Sequence, residues 1–280
     1  MQLIIRAHDL EVKGTEALLT RLNALGLDGV QMVCYKAYDD IPYIPGGITA
    51  EKADAIGKAF ADAGKTIPLV GAYFNPVHAN QEKRENGFNV FAEYLKYAKR
   101  MGCKTVGSET GSFNNDSWTY NPLNRTEDAL RRVAATFSRL CDIGADYGCD
   151  VAMEGSIGHV CWTPEALDQV QKMMNRKNLK VIFDLYNYID GTNQAEYLNI
   201  LDRGLELFAG RIHAFHMKDC RFVNGGEPRQ VPFGTGDMDL DAVLGKIKHY
   251  DPDALLVLEG TTGEFILPAA QKIKTIWESN

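Results

Sequence analysis

The feature that most constrains this chain is a regular alternation. Eight short apolar runs are each followed by a longer amphipathic segment, from one end to the other. The runs are Leu3–Arg6, Gly29–Val33, Ile67–Ala72, Lys104–Gly107, Asp150–Met153, Lys180–Phe183, Arg211–Met217 and Ala254–Leu258. Short runs that are apolar without a polar face read as strands buried on both sides. The segments between them predict helices over Thr15–Leu25, Thr49–Ala63, Arg84–Met101, Thr126–Tyr147, Pro164–Met174, Gln194–Phe208, Asp239–Lys248 and Phe265–Glu278. Their ends carry the expected punctuation: Thr49 and Thr163 as N-caps, Pro164 at the first helical position, and Gly26, Gly64 and Gly102 as stops. No Pro- or Ser-rich linker and no charge block divides the chain. The pattern predicts an α/β fold, a single (β/α)₈ barrel domain spanning residues 1–280. An open doubly wound sheet is the alternative, but no G-x-G-x-x-G follows the first strand.

Composition narrows the partners. Lys and Arg number 30 against 37 Asp and Glu, a formal net charge of -7, which disfavours binding to a phosphate backbone. No apolar run approaches the ~20 residues needed to span a bilayer, and the N-terminus lacks a basic segment ahead of an apolar one. Cys34, Cys103, Cys141, Cys149, Cys161 and Cys220 form no C-x-x-C pair, which reads as reduced thiols and a cytoplasmic location. The sequons at Asn115 and Asn124 are then incidental. A homo-oligomer is compatible with all of this.

In a (β/α)₈ barrel, chemistry gathers at the C-terminal ends of the strands. The fifth run here ends in Glu154, the sixth in Asp184 and the eighth in Glu259, while the seventh carries His216. Each residue taken singly has an ordinary alternative as an ion-pair partner or helix cap. Together they are three carboxylates and an imidazole on four consecutive strands. Carboxylates converging in an apolar setting repel unless a cation lies between them. The oxygen-rich set predicts one divalent metal ion, Mn²⁺ or Mg²⁺ first, with Co²⁺, Fe²⁺ or Zn²⁺ tolerated.

The segments Met-Glu154-Gly, Phe-Asp184-Leu, His213-x-x-His216-Met-Lys218-Asp219, Gly234-Thr-Gly236-Asp-Met-Asp239 and Leu-Glu259-Gly together resemble the xylose isomerase-like barrel superfamily. The likeness is to its sugar phosphate isomerase/epimerase group, which includes ketose 3-epimerases and inosose dehydratases. The resemblance implies Glu154, Asp184, His216 and Glu259 as ligands of one metal, Mn²⁺ above the others. It also implies Glu154 and Glu259 as the acid/base pair of a sugar isomerase or epimerase. Such a pair removes a proton next to a carbonyl and returns it, through a metal-stabilised enediolate. The implied partner is a small carbohydrate. A lyase of the inosose dehydratase type is the near alternative. An apurinic-site endonuclease and a non-catalytic sugar-binding barrel are further ones.

The chain departs from the epimerase pattern at two places. Asn187 stands where those enzymes carry a His, and Phe222 where they carry an Arg, with Arg221 beside it. Asn187, Arg221, Lys218, Glu109, His159 and His8 are accordingly the substrate-binding candidates. Tyr73, Asn75, Trp118 and Trp162 are candidates for an apolar wall. Lys218 also admits a Schiff-base role, against which Asp219 is expected to pair with it. Asp237-x-Asp239-x-Asp241 imitates a calcium loop but has Ala242 and Lys248 at its sixth and twelfth positions. Asp239 is therefore expected as a helix N-cap instead.

Overall fold

A computed structural model describes all residues, 1–280. The parallel strands are Gln2–Arg6, Gly29–Met32, Thr66–Gly71, Thr105–Glu109, Asp150–Glu154, Leu179–Asp184, Ile212–Met217 and Leu255–Leu258. They pair in sequence order, and the first closes on the eighth through Gln2–Leu255 to Ile5–Leu258. The closed eight-stranded barrel is the predicted one. It leaves no open sheet and therefore no switch-point crevice.

Eight principal helices wrap the barrel, at Thr15–Leu25, Ala50–Asp62, Gln81–Tyr97, Glu127–Tyr147, Pro164–Met174, Tyr197–Leu207, Leu240–Tyr250 and Ile266–Ser279. Thr49, Thr126, Thr163 and Asp239 each accept a hydrogen bond from the backbone N–H three residues on. The third principal helix starts at Gln81 rather than Arg84. Asn80 caps it, accepting from the Lys83 N–H. The other unpredicted pieces are short: a helical turn at Cys34–Ala37, single 3₁₀ turns such as Ala7–Leu10 and Tyr186–Tyr188, and an antiparallel hairpin of Asp219–Arg221 with Arg229–Val231.

Two cores separate the inside of the barrel from its outside. A cluster of 74 buried residues fills the layer between strands and helices. Inside the barrel a second cluster holds only seven: Ile4, Leu69, Ala152, Ile182, Ala214, Leu255 and Val257. Side chains alternate along a strand, so residues two positions on face the same way. Five of these plug residues lie two positions before a polar residue at a strand end: Ile4 before Arg6, Ala152 before Glu154, Ile182 before Asp184, Ala214 before His216, Val257 before Glu259. The dry plug is thus the floor on which the polar layer stands. Space there is tight. A Cβ added at Gly107 would lie 2.6 Å from Ile182 Cδ1, so the isoleucine fills room that the glycine leaves.

Ile182→Ala therefore empties the plug at a place that cannot collapse. Chemical denaturation is expected to show a loss of about 2–5 kcal/mol, the usual cost of such a truncation. A loss below about 1 kcal/mol would contradict the tight-plug description.

Candidate metal centre at the mouth of the barrel

Glu154, Asp184, His216 and Glu259 converge above the plug. One ligand atom from each lies within 4.8 Å of the others, and all four residues are buried. His216 turns Nδ1 toward the carboxylates, 2.6 Å from Glu259 Oε2, 3.1 Å from Glu154 Oε1 and 3.7 Å from Asp184 Oδ2. Its Nε2–H donates to Gln31 Oε1 at 2.9 Å, and Gln31 Nε2 in turn donates to the Tyr73 hydroxyl at 2.6 Å. That chain fixes the ring and leaves Nδ1 as the inward nitrogen.

Two permanent cations border the cluster. Lys218 Nζ lies 2.7 Å from Asp184 Oδ2 and 2.8 Å from Glu259 Oε1, and donates to Asn187 Oδ1 at 3.0 Å. Arg6 reaches Glu259 Oε1 at 2.7 Å while its other edge grips both oxygens of Asp9. Asn187 closes the ring by donating Nδ2 to Glu154 Oε1 at 2.8 Å. Sequence reading expected Asp219 to pair with Lys218, and this is corrected. Asp219 instead accepts backbone N–H groups of Cys220, Gly234 and Gly236, shaping the glycine turn. Lys218 lies two residues beyond His216 and shares its inward side, whereas Asp219 has the opposite parity.

The electrostatics follow from crowding. Burial, with Glu109 and Glu259 adding to it, lifts Glu154 to about 7 against the pull of His216. Burial also raises Glu109 to about 7, although Lys218 opposes it. At Glu259 burial pushes the same way, but Lys218, His216 and Arg6 override it and hold the carboxyl well below its usual range. Burial disfavours a charged His216, yet Glu154 and Glu259 keep its pKa well above the ordinary value. Glu109 lies opposite Glu154 across the sheet, and its carboxylate has no hydrogen bond or ion pair within the protein.

The donor set fits a divalent metal. It offers three carboxylates and one imidazole nitrogen, as oxygen-preferring cations take. Asp184 Oδ2 and Glu259 Oε2 are buried and have cationic neighbours but no donor aligned on them. Glu154, Asp184, His216 and Glu259 can hold the ion, with Nδ1 as the nitrogen ligand.

The remaining candidates divide. Asn187 and Lys218 join the cluster. Arg221 does not: it lies on the short hairpin, 59% exposed, paired with Asp237. His8 sits in the turn after the first strand with Nδ1 buried and unpartnered. Burial and then Arg6 lower it to about 4. His159 is buried, with Nδ1 likewise unpartnered and Trp118 edge-on to its ring at 5.5 Å. Asn75 is spent on the backbone of Ser112 and Asn115, and Trp162 lies under the Arg125 guanidinium. Arg6 reads with His8 as a wall residue at the end of the first strand; sequence reading missed its contacts with Asp9 and Glu259, Gln31 altogether, and Tyr73's place behind Gln31. Gln31 is a buried amide at a strand end, the one signal that marked it.

The chain belongs to the xylose isomerase-like TIM barrel family, whose model matches residues 19–276. It is 25% identical over 188 residues to an uncharacterized protein of Methanocaldococcus jannaschii, covering 66% of this chain and 60% of that one. It is also 25% identical over 160 residues to an inosose dehydratase of Yersinia enterocolitica, covering 55% and 52%. The chain thus matches little more than half the length of these relatives. Among solved structures, a D-tagatose 3-epimerase-like protein superposes with TM-score 0.78 at 18% identity, over 100% of this chain and 98% of that one. The IOLI protein with a bound zinc atom superposes with TM-score 0.73 at 16% identity, over 99% and 96%. No helix is long and apolar enough to cross a membrane, and all six cysteines are free and buried.

Two outcomes follow. Gln31→Leu removes the acceptor behind His216 and is expected to weaken Mn²⁺ binding by about 10–100-fold in a calorimetric titration. Unchanged affinity would contradict its positioning role. The second concerns His159, which burial lowers from 6.5 to about 4. The unfolded chain then binds a proton that the folded one refuses, so stability falls as pH drops from 6.5 toward 4. His159→Gln is expected to flatten the decline between those limits in denaturation curves, and an unaltered slope would contradict it.

Proposed function

We propose that this protein is a divalent-metal-dependent isomerase or epimerase of a small keto-sugar, with Mn²⁺ the preferred ion. The observation that carries the reading is the convergence of four strand-end ligands, two of whose buried carboxylate oxygens have no aligned donor. A bound divalent ion would supply Lewis-acid polarisation of a sugar carbonyl and its neighbouring hydroxyl, worth several kcal/mol. The chain supplies the rest. Glu154 and Glu259 stand on strands separated by two others and so flank a sugar placed above the plug. One takes the proton next to the carbonyl, and the other returns it to the opposite face or the adjacent carbon. Each positioned carboxylate accounts for roughly 10²–10⁴-fold.

Lys218 and Arg6 hold Glu259 ionised and in place. Asn187 holds Glu154, so its amide works here as a positioning group for the carboxylate. Glu109, half-buried and with a carboxylate that has no protein partner, is free to take a substrate hydroxyl. His8 and His159 each keep a buried nitrogen available at the rim. Arg221 has no part in this reading while it remains paired with Asp237.

The likeness to an inosose dehydratase supports a second reading on the same residues. The same proton is removed, but a β-hydroxyl then leaves as water. Incubating the Mn²⁺-loaded protein with ketoses and inosose derivatives in D₂O separates the two. Deuterium is expected at the carbon next to the carbonyl, with every oxygen retained. Loss of water would move the protein to the lyases. Glu154→Gln and Glu259→Gln are each expected to lower turnover by at least about 10²-fold with the fold intact by circular dichroism. Wild-type turnover in either variant would overturn the acid/base pair.

A further inference from the structure

Beside the metal centre lies a cavity of about 620 Å³ that no step of the proposed reaction uses. Its walls come from the loops after the second, third and fourth strands and from the helix Gln81–Tyr97. Its size falls in the range of small-molecule pockets, about 300–1,000 Å³.

Two of its residues connect it to the polar layer. Tyr73 lines the cavity and accepts from Gln31, the amide that fixes His216. Trp118 lines it too and rests edge-on against His159, whose buried Nδ1 has no partner. Trp118 is held at φ 52°, a left-handed conformation unusual for a bulky residue. Such strain persists where the surroundings enforce it and concentrates at ligand sites. It sets the indole between the cavity and His159.

The lining chemistry selects the occupant. Tyr43, Tyr73 and Trp118 offer aromatic surface, and Asn86 offers an amide whose one bond, to the Tyr43 carbonyl, is a long 3.3 Å. Aromatic faces beside amide groups suit the C–H faces and hydroxyls of a pyranose ring. A phosphate is disfavoured. The only lysine in the wall, Lys83, is neutralised by both oxygens of Asp116 at 2.8 Å, and Glu82 adds a further negative charge.

We infer that this cavity is a second sugar subsite, and that the substrate is an uncharged glycoside whose keto-sugar ring reacts at the metal centre while its other ring fills the cavity. The inference rests on the keto-sugar reading above, and binding can be measured separately from turnover.

The test is calorimetric titration of the Mn²⁺-loaded protein with D-fructose and with two glucosyl-fructoses that keep a free keto group, leucrose and isomaltulose. At least one disaccharide is expected to bind about tenfold more tightly than fructose, the gain from a few added hydrogen bonds and ring contacts. Asn86→Phe fills the cavity from a rigid helix and is expected to erase that advantage, with fructose binding kept within about twofold. Asn86→Ala, which keeps the cavity open, is expected to retain part of it. The subsite is overturned if neither disaccharide outdoes fructose. It is also overturned if the phenylalanine variant, folded by thermal melt, weakens both sugars alike. Deuterium exchange on the same sugars reports on the reaction. Tight disaccharide binding without exchange would sink the keto-sugar reading and spare the subsite, and exchange without preference would do the reverse.

Discussion

Everything in this molecule hangs on how it keeps buried carboxylates together at the end of a dry barrel. Glu154, Asp184 and Glu259 would repel one another and lose hydration without compensation. The protein answers with Lys218, Arg6 and His216, each within ion-pair distance of at least one of them. These cations do not fully satisfy the cluster, since Asp184 Oδ2 and Glu259 Oε2 lack an aligned donor. A site that is charged, compact and incompletely satisfied is one shaped for a further cation. Truncating a member would leave buried charge exposed to its neighbours, so the cluster is costly to alter piecemeal.

The barrel makes this arrangement possible through strand parity. The seven-residue plug excludes water from below, and the next inward residues on the same strands form the polar layer. The missing side chain at Gly107 leaves room that Ile182 fills. The outer contacts then tune the layer: Tyr73 through Gln31 sets the imidazole, Asn187 sets Glu154, and Asp9 sets Arg6. Precision at the centre thus comes from groups that need never touch a substrate.

Much of this was legible before any coordinates. Apolar runs with both faces buried announce parallel strands, and a carboxylate ending such a run has few places to go. That is why Glu154, Asp184, His216 and Glu259 were readable as one set. What escaped reading was pairing between distant elements. The spacing within the first or second strand does not reveal that Arg6 reaches Glu259 or that Gln31 meets His216, since those contacts exist only once the barrel closes. Lys218 shows the same limit from the other side. Sequence adjacency favoured Asp219 as its partner, but strand parity sends the two to opposite sides. Arg221 is a third case, because the hairpin that carries it and its bond to Asp237 are invisible to periodicity.

The central claim is that these four residues are one metal centre, with His216 bound through Nδ1. Anomalous diffraction from crystals equilibrated with Mn²⁺ tests it most directly. A single strong peak is expected at coordination distance, about 2.0–2.6 Å, from oxygens of Glu154, Asp184 and Glu259 and from His216 Nδ1. His216 Nε2 should remain bonded to Gln31. A cluster with no peak, or a peak bound through Nε2 with Gln31 displaced, would contradict it.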